Sequence, residues 1–415
     1  MPNSLKQKTY KLLRLSEKWT KTDMVYLAKG GFWLTGSKIV GSFTAFALAI
    51  AYANLLPQET YGQYKYILSI SSLFGITALT GMDISLARSI INGYEGSLKK
   101  VIKIKMKWSL LGLAAGLIVS AYYFINENNT LGISFLFAAL FSPLINSIVY
   151  SPFLEGRKLF KTLSQYSVIS QITVAIFILA VLLIYPNIIL IVFAYFFANL
   201  LIKFILLIRT YKKYHPNDKE DPKTISFGKH LSFMSVLGLI ADQFDKILMW
   251  HFLGPAQLAI YSFATIPITQ IQSFLKSISI MAFPKISGQD VNITKKTLPI
   301  KILKFMVILI AIIIIYILLS TYFYKIFFSG YTDSVKYSWL FSLTLLLFPL
   351  RLLAHPLVAK VKQKSLYIIN IFGPALKIIL LACLLPIYGI WGAIIALLAS
   401  SIINNLLLYY LFKKI

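Results

Sequence analysis

Acidic residues are scarce in this chain: 14 Asp and Glu stand against 41 Lys and Arg over 415 residues, with four His and one Cys. A single cysteine excludes an intrachain disulfide, and Cys383 lies inside an apolar run that carries no information about redox compartment. His215, His230, His251 and His355 are scattered without metal-ligand spacing, so no metal site is expected. The chain also lacks a phosphate-cradling glycine loop and any large exterior loop able to hold a catalytic constellation, which argues against an enzyme. Charge of either sign is thin: 13% of residues are charged and 58% hydrophobic, with a mean hydropathy of +0.75. No soluble domain of this length holds that balance, and the composition is that of a polytopic membrane protein. The net charge of +27 would suggest a nucleic-acid partner if it lay on one face. The basic residues instead recur in alternate loops, a topology signal, and no nucleic acid is expected.

What is present is a series of apolar runs. They fall at about 30–55, 62–93, 107–125, 131–155, 163–185, 187–208, 230–253, 258–284, 303–325, 336–358, 365–386 and 388–411. Each is long enough for a helix of roughly 20 residues to span a bilayer. The runs are continuous, without the short alternating strands of a barrel, so the expected fold is all-α with twelve transmembrane helices. Residues 1–28 are polar and basic, and no small-residue cleavage site follows the first apolar run, so they do not read as a cleavable signal peptide. Leu12, Leu15 and Trp19 there suit either a basic amphipathic helix on an anionic leaflet or a plain tail.

Alternate loops carry seven, five, three, six, five, three and two Lys or Arg, and the opposite loops hold only Lys325 and Lys336. The positive-inside rule then places both termini in the cytoplasm. The one long polar connection, 209–229, divides the chain into 29–208 and 230–415, each with six runs. Leu56 and Leu253, Tyr64 and Tyr261, Gly31 and Gly228, and Gly41 and Gly238 all fall at one constant offset. Two six-helix lobes of like orientation, related by a pseudo-twofold along the membrane normal, are therefore expected. Pro143 and Pro152 in the fourth run match Pro349 and Pro356 in the tenth. Paired prolines bend helices that line cavities, although proline is also commoner in membrane helices generally.

Eight basic residues remain inside the runs: Lys38, Lys65, Arg88, Lys203, Lys246, Lys276, Arg351 and Lys377. The acids there are Asp83, Asp242 and Asp245. A charge at the bilayer centre costs roughly 2.5–3.5 kcal/mol, so these groups need relief. Lys65 and Lys203, near helix ends, are expected to snorkel. Arg88, Arg351 and Lys38 are within reach of the headgroups or line a cavity, and Lys377 is too deep to snorkel and needs a partner or water. Asp242, Asp245 and Lys246 share one helical face, which suits a local Asp242–Lys246 ion pair or a proton or sodium site. Polar stripes on the second run (Lys65, Ser69, Ser72, Thr80, Asp83) and the eighth (Ser262, Thr265, Thr269, Gln272, Lys276) suit interhelical hydrogen bonds or the walls of a wet cavity. His355, directly before Pro356, reads first as a structural histidine.

Several segments resemble one family: LLPQETYGQY at 55–64, GMDISLARSI at 81–90, DKILMWHFLGPAQLAIYSFA at 245–264, and the basic turns FLEGRKLFK at 153–161 and LVAKVKQKS at 357–365. Across nearly the whole chain they resemble the Wzx-like flippases, the polysaccharide-exporter branch of the multidrug/oligosaccharidyl-lipid/polysaccharide (MOP) superfamily. The resemblance implies a V-shaped pair of lobes rocking around a cationic cavity. It implies a cargo of undecaprenyl-diphosphate-linked oligosaccharide, moved across the bacterial inner membrane among membrane lipids and alongside the polysaccharide polymerase and export machinery. It implies no cofactor, with coupling to a sodium or proton gradient or to the membrane potential. On that reading Lys38, Arg88, Lys246, Lys276, Arg351, His355 and Lys377 are candidate cargo ligands, and Asp83, Asp242 and Asp245 candidate coupling-ion groups. A cation-coupled drug exporter of the same superfamily is the alternative, as is a peptidoglycan-precursor flippase. The first run, with Lys38 and no acid, fits a cationic drug poorly.

Overall fold

A computed structural model describes residues 24–287, 291–359 and 363–414. Nine helical stretches among the described residues are long and apolar enough to cross a membrane. The chain opens with α1 (Met24–Leu55), α2 (Gln58–Ile76) and α3 (Met82–Ile91). It continues through α4 (Ser97–Ile125), α5 (Asn129–Ser147), α6 (Ser151–Gly156), α7 (Phe160–Ile184) and α8 (Ile188–Tyr214). After the linker come α9 (Thr224–Ser287), α10 (Val291–Phe327), α11 (Ser334–Ser342), α12 (Thr344–Leu347), α13 (Ala354–Ala359) and α14 (Gln363–Lys413).

Two of these stretches are each two crossings. A straight 64-residue α9 would run roughly 96 Å at 1.5 Å per residue, about three bilayer cores. Instead the backbone leaves the helix at Gly254, with φ 82° and ψ −178°, and doubles back. The reversal brings the Tyr261 hydroxyl to 2.5 Å from Asp245, a pair that would stand roughly 24 Å apart on one straight helix. Gly389 (φ 58°) reverses α14 in the same way, and a side chain at Gly392 would lie 2.0 Å from the Leu384 carbonyl. Left-handed backbone of this kind strains any residue with a Cβ. Counting both arms of each, and α2 with α3 as the less apolar second crossing, gives the twelve crossings read from the sequence. All are helical, with no strand among the described residues.

The fourth and tenth crossings are broken, as their prolines suggest. Residues 148–150 interrupt α5 and α6, and a 3₁₀ segment at Pro349–Leu353 stands between α12 and α13. The third crossing begins at Ser97, ten residues before the expected 107, because Val101 and Lys105 face inward and extend the helix past its apolar part. The linker is ordered on the 93–97 turn: Gly96 N–H donates to the Lys219 carbonyl and Asp221 N–H to Ser97 Oγ. Arg157 clasps Glu95 with two hydrogen bonds at 2.5 Å. The outside of the bundle is greasy, with Ile118, Leu183, Leu318 and Ile326 each 67–72% exposed. That surface suits lipid, and with the apolar helices it marks a multi-pass membrane protein.

Candidate functional site

Small residues bring the second crossing against the seventh along its whole length, so the two halves meet on this seam. At the hairpin end a Cβ on Gly62 would lie 1.9 Å from the Pro255 carbonyl oxygen. There Tyr61, Phe263 and Tyr331 interlock, with ring centroids 3.9–6.3 Å apart. One turn deeper Tyr66 stacks on Trp250 at 4.3 Å, nearly parallel. At the linker end Gly81 N–H donates to Ser232 Oγ at 3.0 Å, and Ser85 Oγ donates to the Thr224 carbonyl at 2.6 Å.

Two charged groups flank this seam. In the first, Lys65 from the second crossing comes within electrostatic reach of Asp245 and Lys246 on the seventh. Its ammonium lies over the Tyr61 ring at 5.9 Å. Asp245 is buried and accepts the Tyr261 hydroxyl. Lys246 donates to Gln243 Oε1 at 3.1 Å. In the second, one turn toward the linker end, Asp242 faces Lys377 of the eleventh crossing at 3.6 Å, and Arg351 of the tenth is within electrostatic reach. The Asp242 side chain is 72% exposed. Inside a membrane span such a charge faces water and not lipid, whose contact it would not survive energetically. Together the groups hold four cations against two carboxylates, a site fit for an anion.

The structure corrects two expectations about these residues. Asp242 and Lys246 do not form a local ion pair: Lys246 reaches only the Asp242 backbone carbonyl, at 3.5 Å, and the carboxylate pairs with Lys377. Lys65 does not snorkel, because its crossing is buried between the halves and the side chain follows the inward face. The signal was its polar stripe with Ser69 and Ser72, at i, i+4 and i+7. Lys203 also stays inside, donating to the Ile145 carbonyl at 3.4 Å.

Two of the remaining candidates, Asp83 and Arg88, line separate cavities. Asp83 pairs at 2.6 Å with Lys105, which is 2% exposed. With Lys203 and Asn146 they line a cavity of about 130 Å³ within the first six crossings. Lys105 precedes the third apolar run, and nothing local distinguishes it from its basic neighbours. Arg88 is exposed, 5.0 Å over the Phe227 ring, and lines a separate cavity of about 610 Å³ with Lys223, His230 and the linker. Lys38 and His355 are half-buried and partnered, and Lys276 is exposed. The two polar stripes divide: Gln272 donates to Thr344 on the tenth crossing, Thr80 meets Ser235 across the seam, and Ser262 is buried. The basic turn at 357–365 lies partly outside the described residues.

Comparison with solved structures places this architecture. The lipid II flippase MurJ in its inward closed conformation is similar at a TM-score of 0.64 and 19% identity, over 93% of this chain and 87% of that one. An inward-facing multidrug resistance MATE family transporter of the MOP superfamily is similar at 0.62 and 12%, over 90% and 94%. A MOP superfamily transporter from Pyrococcus furiosus, described as having a binding pocket of reverse polarity, is similar at 0.54 and 13%, over 93% and 96%. No curated protein sequence matches. Residues 27–290 match the family described as polysaccharide biosynthesis protein. The helical fold is that of the MOP transporters, and the chain belongs to the polysaccharide biosynthesis protein family.

Proposed function

We propose that this protein is a flippase for polyprenyl-diphosphate-linked oligosaccharide, moving the lipid-linked unit from the cytoplasmic to the outer leaflet of the bacterial inner membrane by alternating access. The observation that carries the reading is the positive excess at the seam: Lys65, Lys246, Arg351 and Lys377 answered only by Asp242 and Asp245. Uncompensated cations in a span are retained where something anionic passes. A diphosphate is the anion that fits a guanidinium with neighbouring ammoniums, since charge-assisted hydrogen bonds are the strong ones. Its acyl tail would stay in lipid while the sugars cross in water. The membership in a polysaccharide biosynthesis family and the similarity to a structure named for a lipid II flippase both support a lipid-linked cargo. A peptidoglycan-precursor flippase shares this chemistry and is the second reading. A drug exporter would meet the wrong sign of charge. The lobes on this reading are 29–208 and 230–415, joined by a cytoplasmic linker at 209–229, with both termini cytoplasmic.

The test is export in cells deleted for the gene and complemented with variants. Arg351→Gln combined with Lys377→Gln should insert normally and leave lipid-linked glycan accumulated on the cytoplasmic leaflet. Full export by that double variant would remove the proposal. Accumulation of peptidoglycan precursor instead would favour the second reading.

A further inference from the structure

Lys105 from the third crossing and Lys203 from the sixth line one cavity of about 130 Å³, together with Asp83, Asn146, Thr80 and Tyr150. Lys105 is 2% exposed and pairs with Asp83 at 2.6 Å. Lys203 differs, since none of the ion pairs among the described residues includes it. Its ammonium carries three donors but reaches the Ile145 carbonyl only at 3.4 Å, beyond the usual N–H···O range. Roughly 16 Å of helix, at 1.5 Å per residue, separates Lys203 from Tyr214 at the linker end, so it does not reach the headgroups. Asp83 and Lys105 both lie within its electrostatic reach. Glu155 comes within reach of Asp83 but is exposed and does not line the cavity. The cavity therefore holds two ammonium groups against one carboxylate. Part of its wall is the broken fourth crossing, whose residues 148–150 leave the helix and border the same space. Irregular backbone at membrane depth is kept where it is packed in protein or faces water, and this chamber has room for several waters.

We infer that this cavity is a binding site for one small monovalent inorganic anion, of the chloride class, held by Lys203 beside the Lys105–Asp83 pair. The inference goes beyond the flippase reading and does not rest on it. A buried charge without a counter-charge is strongly destabilising, because its surroundings neither solvate nor screen it. An anion at Lys203 supplies the missing charge and accepts the ammonium donors that the Ile145 carbonyl leaves unused. Thr80 and Tyr150 add hydroxyl donors to the lining. With one anion bound, two ammonium groups are matched by two negative charges and the cavity is neutral. A cation would meet the wrong sign there, since Asp83 is already engaged by Lys105. On this assignment Asp83 is the counterion of Lys105 and not a cation site. The volume suits a halide with part of its water and is far too small for an oligosaccharide. None of the seam cations lines it, so the anion is a component of the first six crossings and not cargo.

The experiment uses the full-length protein in detergent, exchanged into isethionate, an anion too bulky for the cavity, with radioactive chloride as the probe in equilibrium dialysis. The wild type should bind chloride saturably. Lys203→Met should weaken one such site by at least about tenfold, the loss of one charge in contact with the ion. Asp83→Asn should instead tighten that site by at least about tenfold, because two ammonium groups then face the anion alone. The double variant Arg351→Gln with Lys377→Gln should keep the site that Lys203→Met loses. No saturable binding by the wild type, unchanged binding by Lys203→Met, or loss of all binding in the seam double variant overturns the proposal. Weaker chloride binding by Asp83→Asn does so as well. Thermal denaturation separates loss of the site from loss of the fold. Chloride should raise the melting temperature of the wild type progressively and leave that of Lys203→Met unmoved. In isethionate Lys203→Met should melt no lower than the wild type, because methionine removes the unmatched charge and keeps the side-chain volume. Equal stabilisation of both proteins by chloride overturns the site. Each of these outcomes leaves the flippase reading where it stands, since that reading is tested by export and this one by anion binding.

Discussion

Substituting alanine at Gly62 or Gly81 asks whether the seam is held by close backbone contact, and at which end. A Cβ at Gly62 would fall 1.9, 2.5 and 2.9 Å from the carbonyl oxygen, carbonyl carbon and Cα of Pro255. All three are backbone atoms, so no rotamer change relieves the overlap. The crossings must separate by about 1.5 Å to restore ordinary contact, which begins at 3.4 Å. At the linker end a Cβ on Gly81 would fall 2.4 Å from Ser232 N and 2.7 Å from the Leu231 carbonyl carbon. Overpacking of this kind costs about 1–3 kcal/mol, which is about a 5- to 150-fold change in the closed population. Gly62→Ala therefore loosens the hairpin end, and Gly81→Ala the linker end. Cys383 is the single cysteine, so Cys383→Ser gives a clean background. Thr80→Cys with Ser235→Cys reports on the linker end, since the native side-chain oxygens lie 3.4 Å apart across the seam. Disulfide formation by that pair should slow about 5- to 150-fold with Gly81→Ala. It should be little altered by Gly62→Ala, and unaltered by Gly31→Ala, where nothing lies within 4 Å. Equal rates in the parent and Gly81→Ala would refute the idea that small residues hold this contact.

Two further outcomes follow from the charges that lie off the seam. Lys105 is 2% exposed with one carboxylate partner, so Asp83→Asn should cost about 3 kcal/mol, the lower end for a broken buried pair because Asp83 faces its cavity. Adding Lys105→Met should recover much of that loss in thermal denaturation, whereas additive losses would show that the pair is not coupled. At the linker clasp, burial works to raise the Glu95 carboxyl, but the Arg157 hydrogen bonds and the Asn217 backbone N–H outweigh it and hold Glu95 below its ordinary value. A carboxyl lowered by folding lends stability that is complete above its unfolded value of roughly 4.3 and is lost as pH falls through the folded one. The protection of 217–224 from hydrogen exchange, relative to Glu95→Gln, should therefore be complete above about 4.3 and be lost only as pH drops below it. A linker equally protected in both proteins at neutral pH would show that the clasp contributes nothing.

Much of this molecule was legible in its sequence. Twelve crossings, their helical nature and the broken fourth and tenth follow from run length and proline position, because in lipid a backbone must satisfy its own hydrogen bonds and few structures do so. The reversals at Gly254 and Gly389 both fall at boundaries between runs, the first marked by Gly254-Pro255 and the second only by Pro386 among apolar neighbours. Partners were the harder matter. That Lys377 needs a partner or water follows from depth alone, but that the partner is Asp242, which does not pair with Lys246, is decided by the eleventh crossing lying against the seventh. The inward turn of Lys65 and Lys105 is hidden from the sequence for the same reason. A lysine near a helix end snorkels or turns inward according to what covers it, and the cover comes from crossings far along the chain. Hydrophobicity is additive along a sequence and so fixes which segments enter the membrane. The pairing of charges depends on distance in three dimensions, and only the packed structure sets it.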